Sequence, residues 1–176
     1  MTELIACTMI MLMVTGVITQ TLSLALTQSQ EQLWAARARN LCNLLTDTVR
    51  AELLYASDIE ITSDSGNKVI TYKPEGATDT YQLVNNDGKI AVKYPEEEGA
   101  NPLPNADSYK NAKAEFTAVK KDAFANVENM QTIHVTITVS PQSGGGKSVT
   151  NQFDIRPVGG NGAFAPTPTP TEPETP

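Results

Sequence analysis

The sequence contains few residues that bind soft metals, which excludes a zinc-stabilised domain. Its 176 residues include two cysteines and one histidine, whereas a structural zinc site usually takes four such ligands. Cys7 and Cys42 lie 35 residues apart on what we interpret as one helix. That spacing corresponds to about 52 Å along the helix axis, far beyond the roughly 7 Å that separates the Cα atoms of a disulfide. We therefore expect no metal, no other cofactor and no disulfide within the chain.

Basic charge is also scarce, and this argues against a nucleic-acid partner. The chain has 13 Lys and Arg against 20 Asp and Glu, which gives a net charge of −7. Nucleic-acid binding depends on a basic patch or stripe, and the sequence shows none. The sequence also lacks the grouping of nucleophile, base and acid that indicates catalysis, so we expect a protein that is not an enzyme.

Charged residues are absent from one long N-terminal stretch. No Asp, Glu, Lys or Arg occurs in the 27 residues from position 4 to position 30, and about 20 apolar residues suffice to cross the hydrocarbon layer of a membrane. No Gly or Pro interrupts the chain between positions 17 and 59. We predict one helix from Thr2 to about Ala56, roughly 80 Å long, in which residues 1–26 form a membrane or filament-core helix.

Residues 27–57 are predicted to continue this helix with an amphipathic pattern. At about 100° per residue, one side carries a stripe of mostly apolar side chains. The stripe consists of Leu33, Trp34, Leu41, Leu44, Leu45, Thr48 and Tyr55. The other side carries Arg39, Asn40, Asn43, Asp47 and Arg50. We expect the stripe to pack on the domain that follows.

The composition becomes strand-like over residues 58–158, where β-branched and aromatic residues form short runs bounded by turn residues. Candidate strands are 60–62, 68–72, 80–84, 89–94, 113–120, 132–140 and 148–155. We interpret segment 94–110 as a loop. The predicted fold class is α+β, with a long N-terminal helix packed on one antiparallel β-sheet.

Turn residues predict two hairpins, and the C-terminal end predicts a tail. Asn85-Asn86-Asp87-Gly88 supplies residues that tolerate the positive φ of a tight turn. Segment 141–146 separates the last two candidate strands. Residues 159–176 alternate Thr and Pro with a single aromatic residue, which predicts a disordered, extended tail.

The N-terminal residues Thr2-Glu3-Leu4-Ile5, followed at once by the uncharged helix, resemble the start of type IV pilins and pseudopilins. In that family a leader is removed, the new N-terminal residue is methylated, and a Glu stands at the fifth mature position. Glu3 matches that acid, which places the family's processed terminus two residues before Met1. The resemblance implies that Glu3 acts in subunit assembly by neutralising the amino terminus of a neighbouring subunit.

The resemblance also implies that the α+β fold is pilin-like, and it implies a function. We expect a structural subunit of a type IV pilus-like or type II secretion-like filament, which assembles through its N-terminal helix. Its partners would be other pilin-like subunits, the membrane, a prepilin peptidase and an assembly platform. Before assembly it would be a single-pass membrane protein with the β domain outside the cytoplasm, and afterwards part of a cell-surface or extracellular filament. The alternative is a membrane-anchored extracellular binding or adhesion module that forms no filament.

Three further patterns favour ordinary structure over chemistry. Segment 144–148 is similar to the end of a phosphate-binding loop, but Pro141 stands where that loop needs Gly, and a strand follows instead of a helix. His134 is interpreted as a surface histidine. Asp87 and the acidic residues Glu96, Glu97 and Glu98 could hold calcium, yet their spacing is not that of an EF-hand, which favours a solvated acidic loop.

Overall fold

A computed structural model of the chain describes residues 2–64, 67–122, 131–143 and 146–158. It begins with one unbroken helix, α1, over Thr2–Leu54. With 53 residues, α1 is about 80 Å long. The prediction of a single helix is confirmed. The predicted tail, residues 159–176, lies outside the described residues.

Eight strands follow α1, and all neighbouring strands in the described ranges pair antiparallel. The first five form one sheet in chain order: β1 Ser57–Asp64, β2 Asn67–Lys73, β3 Tyr81–Asn86, β4 Lys89–Lys93 and β5 Ala100–Pro102. The last three form a second sheet: β6 Ala112–Asp122, β7 Gln131–Pro141 and β8 Val149–Ile155. The α+β class is confirmed, but the prediction of one sheet is wrong because the strands divide into two.

The division arises in segment 94–110, which we interpreted as a loop. This segment contains β5 and a short 3₁₀ helix, Ala106–Tyr109. The buried hydroxyl of Tyr109 shares its one proton between the carbonyl oxygens of Ile90 and Leu103, and its oxygen accepts from the Ile90 N–H. Burial raises the pKa of Tyr109 well above its usual value. These bonds fix the chain where it leaves the first sheet, and β6 then starts the second.

The second half of α1 packs on the second sheet through a narrow row of side chains. Five of them follow the 3.6-residue period of the helix, namely Ala38, Cys42, Leu45, Val49 and Leu53, and Ala56 continues the row just beyond the helix end. Burial raises the pKa of the Cys42 thiol, and both cysteines are free. Half of this row is small, which lets the helix approach the strands closely.

The apolar stripe predicted on α1 is therefore partly wrong. Only Leu41 and Leu45 of the predicted stripe are buried, and Trp34 and Thr48 are half-buried. The large side chains of Leu33, Leu44 and Tyr55 are exposed. The prediction followed side-chain size, whereas the strands contact the side of the helix that carries Ala38 and Cys42. The predicted polar side is exposed throughout.

Strand β8 runs in the same direction as α1, as the contacts between them show. The Trp34 indole N–H donates to the Lys147 carbonyl oxygen at 3.0 Å, near the start of β8. Further along, the Asn151 amide donates to the Thr46 hydroxyl at 3.0 Å. Beyond the strand, the Val158 N–H donates to the carbonyl oxygen of Leu54, the last residue of the helix, at 2.7 Å. Contacts thus follow the whole second half of α1.

The predicted hairpin turn between β3 and β4 is confirmed, and it also joins the two sheets. Asp87 and Gly88 have φ values of 49° and 68°, as a two-residue turn requires. The Asn85 side chain accepts from the Phe116 N–H and donates to the Phe116 carbonyl, each at 2.9 Å. The Gly88 carbonyl accepts from the Ala114 N–H at 2.8 Å. The side-chain amide of Asn85 therefore forms the hydrogen bonds to Phe116 that a neighbouring strand would otherwise form at this edge of β6.

Replacing Leu45 by Ala should lower the free energy of unfolding by about 2–5 kcal/mol, because the side chain is fully buried against the sheet. The matched variant Leu44→Ala should lower it by less than about 1 kcal/mol, since Leu44 is 46% exposed. Urea unfolding of the full chain in detergent micelles, followed by Trp34 fluorescence, measures both. Equal losses would show that Leu44 also packs on the sheet.

Replacing Asn85 by Ala should cost about 1–3 kcal/mol, because the N–H and C=O of Phe116 then lose their shared partner. Asn86→Ala is the matched control, since its side chain is exposed and next to Asn85. The same urea titration compares the two variants. If Asn85→Ala were no more destabilising than Asn86→Ala, the amide would not join the sheets.

Candidate assembly surface

The first half of α1 is fully exposed and apolar. Every residue from Glu3 to Leu33 is exposed, and none of the 18 residues in its most apolar window is buried within the chain. By length and composition α1 can cross a membrane. So much apolar surface requires a cover of lipid or protein.

The polar side chains of this half are compatible with an apolar cover. Threonine hydroxyls donate to backbone carbonyl oxygens three or four residues earlier: Thr8 to Ile5, Thr15 to Met11, Thr19 to Thr15, Thr21 to Val17 and Thr27 to Ser23, at 2.8–3.0 Å. An unpaired hydroxyl is costly in hydrocarbon. Since these donors are paired within the helix, they do not oppose burial in lipid or among other helices.

Glu3 lies in the first turn of α1 and is exposed. It forms no ion pair with any of the residues that the structure describes. An acid in the first turn interacts favourably with the helix dipole, which alone accounts for its position in a single chain. Its carboxylate is nevertheless available to a cation from another molecule at the very end of the apolar surface.

A second feature of α1 was missed by the sequence analysis. Large apolar side chains recur every 11 residues along α1 and at the first residue after it: Met11, Leu22, Leu33, Leu44 and Tyr55. We call these five residues the outer row. Eleven residues make three turns plus about 20°, so successive members are nearly aligned and the row winds about 60° around the helix from Met11 to Leu44. The line lies away from the side that carries Ala38, Leu45 and Val49.

All members of the outer row are exposed, by 46% to 74% of their surface. Met11 and Leu22 fall within the length that lipid could cover. Leu33, Leu44 and Tyr55 lie beyond it, beside the sheet domain. The signal was available in the sequence as an 11-residue period, but we assigned three members of the row to the core because they are large and apolar.

A groove lies at the base of the sheet domain, where α1 emerges from it. We call it the basal groove; its volume is about 1030 Å³. Its walls include Trp34, Arg37 and Leu41 of α1, Lys110 and the turn residues Pro141 and Gly146. A Cβ atom on Gly146 would lie 2.5 Å from Trp34 Cδ1, so only glycine allows this turn to lie against the indole. The groove was also missed, since it requires the folded chain.

Other candidate residues from the sequence are not brought together. His134 Nδ1 lies 2.6 Å from Asp154 Oδ1 on adjacent strands at the surface, as a cross-strand pair. Glu97 accepts from the Asn101 amide at 2.5 Å. Among the described residues, no three His, Cys, Asp or Glu side chains group as metal ligands. In the former phosphate-loop candidate, positions 144 and 145 lie outside the described residues, and strand β8 follows at Val149.

Comparison of the chain with protein-family models, with curated proteins and with solved structures finds no match.

Proposed function

We propose that this chain is a structural subunit of a filament of the type IV pilus or type II secretion kind. The outer row carries the proposal: it continues the apolar surface of α1 from the lipid-length segment into the part beside the sheet domain. A bilayer cannot cover both halves, since its hydrocarbon core is about 30 Å thick and α1 is about 80 Å long. A parallel helix from another subunit covers the whole row.

The small and polar residues of the first half are consistent with helix packing. No atom of the described residues lies within 4 Å of a Cβ built on Gly16, so a neighbouring helix has room to approach there. Small residues allow close approach of helices in apolar surroundings. In the filament, protein replaces lipid around residues 2–26, and Glu3 pairs with the amino terminus of a neighbouring subunit.

Assembly should depend on Glu3. Glu3→Leu, introduced into the full precursor, should leave membrane insertion and folding intact, because removing a charge makes the segment more apolar. It should remove the chain from filaments, because the neighbour's ammonium group would then enter an apolar core unpaired. Mass spectrometry of sheared surface filaments measures incorporation, and membrane fractionation measures insertion.

The exposed acid Asp47 provides the control for this substitution. Asp47→Leu should be incorporated normally, since its carboxylate lies on the polar side of α1 beside the sheet domain. Normal incorporation of Glu3→Leu would favour the membrane-anchored binding module instead.

Leu44→Asp should reduce incorporation into filaments while leaving the free energy of unfolding almost unchanged. The side chain is 46% exposed, so the variant should remain folded, with a loss of less than about 1 kcal/mol in the free energy of unfolding. A carboxylate in the outer row would be buried unpaired between helices, so filament incorporation should fall at least about tenfold. Quantitative immunoblotting of filament and membrane fractions measures this ratio. An unchanged ratio would show that no partner covers the row at Leu44.

A further inference from the structure

The basal groove begins where the membrane-length segment of α1 ends. Its first lining residue is Thr27, and the uncharged run ends at position 30. When residues up to about 26 lie in hydrocarbon, Thr27 and Trp34 stand roughly 10 Å apart along the axis, within the polar layer of the bilayer and at its surface. The groove therefore faces lipid headgroups for as long as α1 is in a membrane.

The groove carries unpaired positive charge in a chain whose net charge is −7. Arg37 and Lys110 line it, and both are exposed. The ion pairs within the described residues join Lys73 to Asp58 and His134 to Asp154, so neither groove cation has a carboxylate partner there. Glu31 is the one acidic residue among the described lining residues.

The side chains on α1 point toward the bilayer. Helical Cα–Cβ bonds tilt toward the N-terminus, which here is the membrane end, so the long Arg37 side chain reaches back toward the level of Leu33. Trp34 is half-buried, and its indole N–H is held by the Lys147 carbonyl. Tryptophan is enriched at the membrane interface because its ring is amphipathic.

We propose that the basal groove binds the headgroup of an anionic phospholipid from the bilayer that α1 crosses. Arg37 and Lys110 donate charge-assisted hydrogen bonds to the phosphate, and the apolar wall of Leu41 and Pro141 contacts the glycerol and upper acyl region. Lipid fits better than an acidic protein segment because the groove adjoins the membrane-length part of the same helix. The proposal requires insertion of α1 but no filament. Because Leu33 and Leu44 of the outer row also line the groove, it concerns the chain in the membrane before another subunit covers that row.

The single tryptophan makes the groove directly observable. The full chain is reconstituted into phosphatidylcholine vesicles containing equal mole fractions of either brominated phosphatidylglycerol or brominated phosphatidylcholine, and quenching of Trp34 is measured. Quenching gives the relative association constant of the anionic over the zwitterionic lipid. We expect this ratio to be at least about fivefold in the native chain, since each cation near an anionic surface contributes about that factor.

The double variant Arg37→Glu with Lys110→Glu should bring the ratio to one or below. Its matched control is Arg39→Glu with Lys120→Glu, which changes the net charge equally at exposed positions outside the groove. The control should keep the native ratio. Circular dichroism and urea unfolding show that both variants are folded, which is expected because all four side chains are exposed.

Several outcomes would overturn the proposal. A native ratio near one shows that the groove does not select anionic lipid. An equal fall of the ratio in both double variants shows that positive charge anywhere on the surface attracts the anionic lipid, and that the groove is not a specific site. If inorganic phosphate in purely zwitterionic vesicles alters Trp34 emission as strongly as the anionic lipid does, the ligand is free phosphate. If the native ratio is lost only when subunits associate through this face, a second chain occupies the groove.

Discussion

The close contact between the second half of α1 and strands β7 and β8 determines the rest of the structure. It depends on small side chains on the buried row, above all Ala38 and Cys42, which bring the helix backbone near the sheet. Since one side of the helix is used in this way, the large residues of the outer row remain exposed, and two of them, Leu33 and Leu44, border the basal groove. The same contact that folds the domain therefore leaves an apolar line on its outside.

How far the sequence predicts this arrangement depends on the range of the interactions. The helix, seven of the eight described strands and the Asp87-Gly88 turn rest on local periodicity and backbone preference, and these predictions are confirmed, whereas β5 was interpreted as part of a loop. The buried side of α1 is predicted poorly, because the strands, which lie far away in sequence, decide whether Cys42 or Leu44 faces inward. The division into two sheets depends on the bonds of the Tyr109 hydroxyl, which no local pattern indicates.

The candidate sites show the same distinction. The apolar half of α1 can be predicted from the sequence because it depends on composition alone, and Glu3 was singled out by its match to the motif of the pilin family. The 11-residue period of the outer row can also be found in the sequence, but the exposure of its side chains depends on which side of α1 the strands cover. The basal groove brings together Trp34, Lys110 and Gly146, which are far apart in the sequence. The hydrogen bonds between the Asn85 side chain and the Phe116 backbone likewise join residues 31 positions apart. Groups of residues that are far apart in the chain produce no recognisable pattern in any short stretch of the sequence.

The shared direction of β8 and α1 has a mechanical consequence. A tensile force applied along the helix is transmitted to the sheet domain through contacts near Trp34, Thr46 and Leu54 together, because they are arranged in parallel along the axis. Rupture then requires sliding of the whole contact, in shear, and cannot proceed by peeling one bond after another. Forced detachment is governed by the barrier to that concerted step, so the geometry that orders the domain also resists traction.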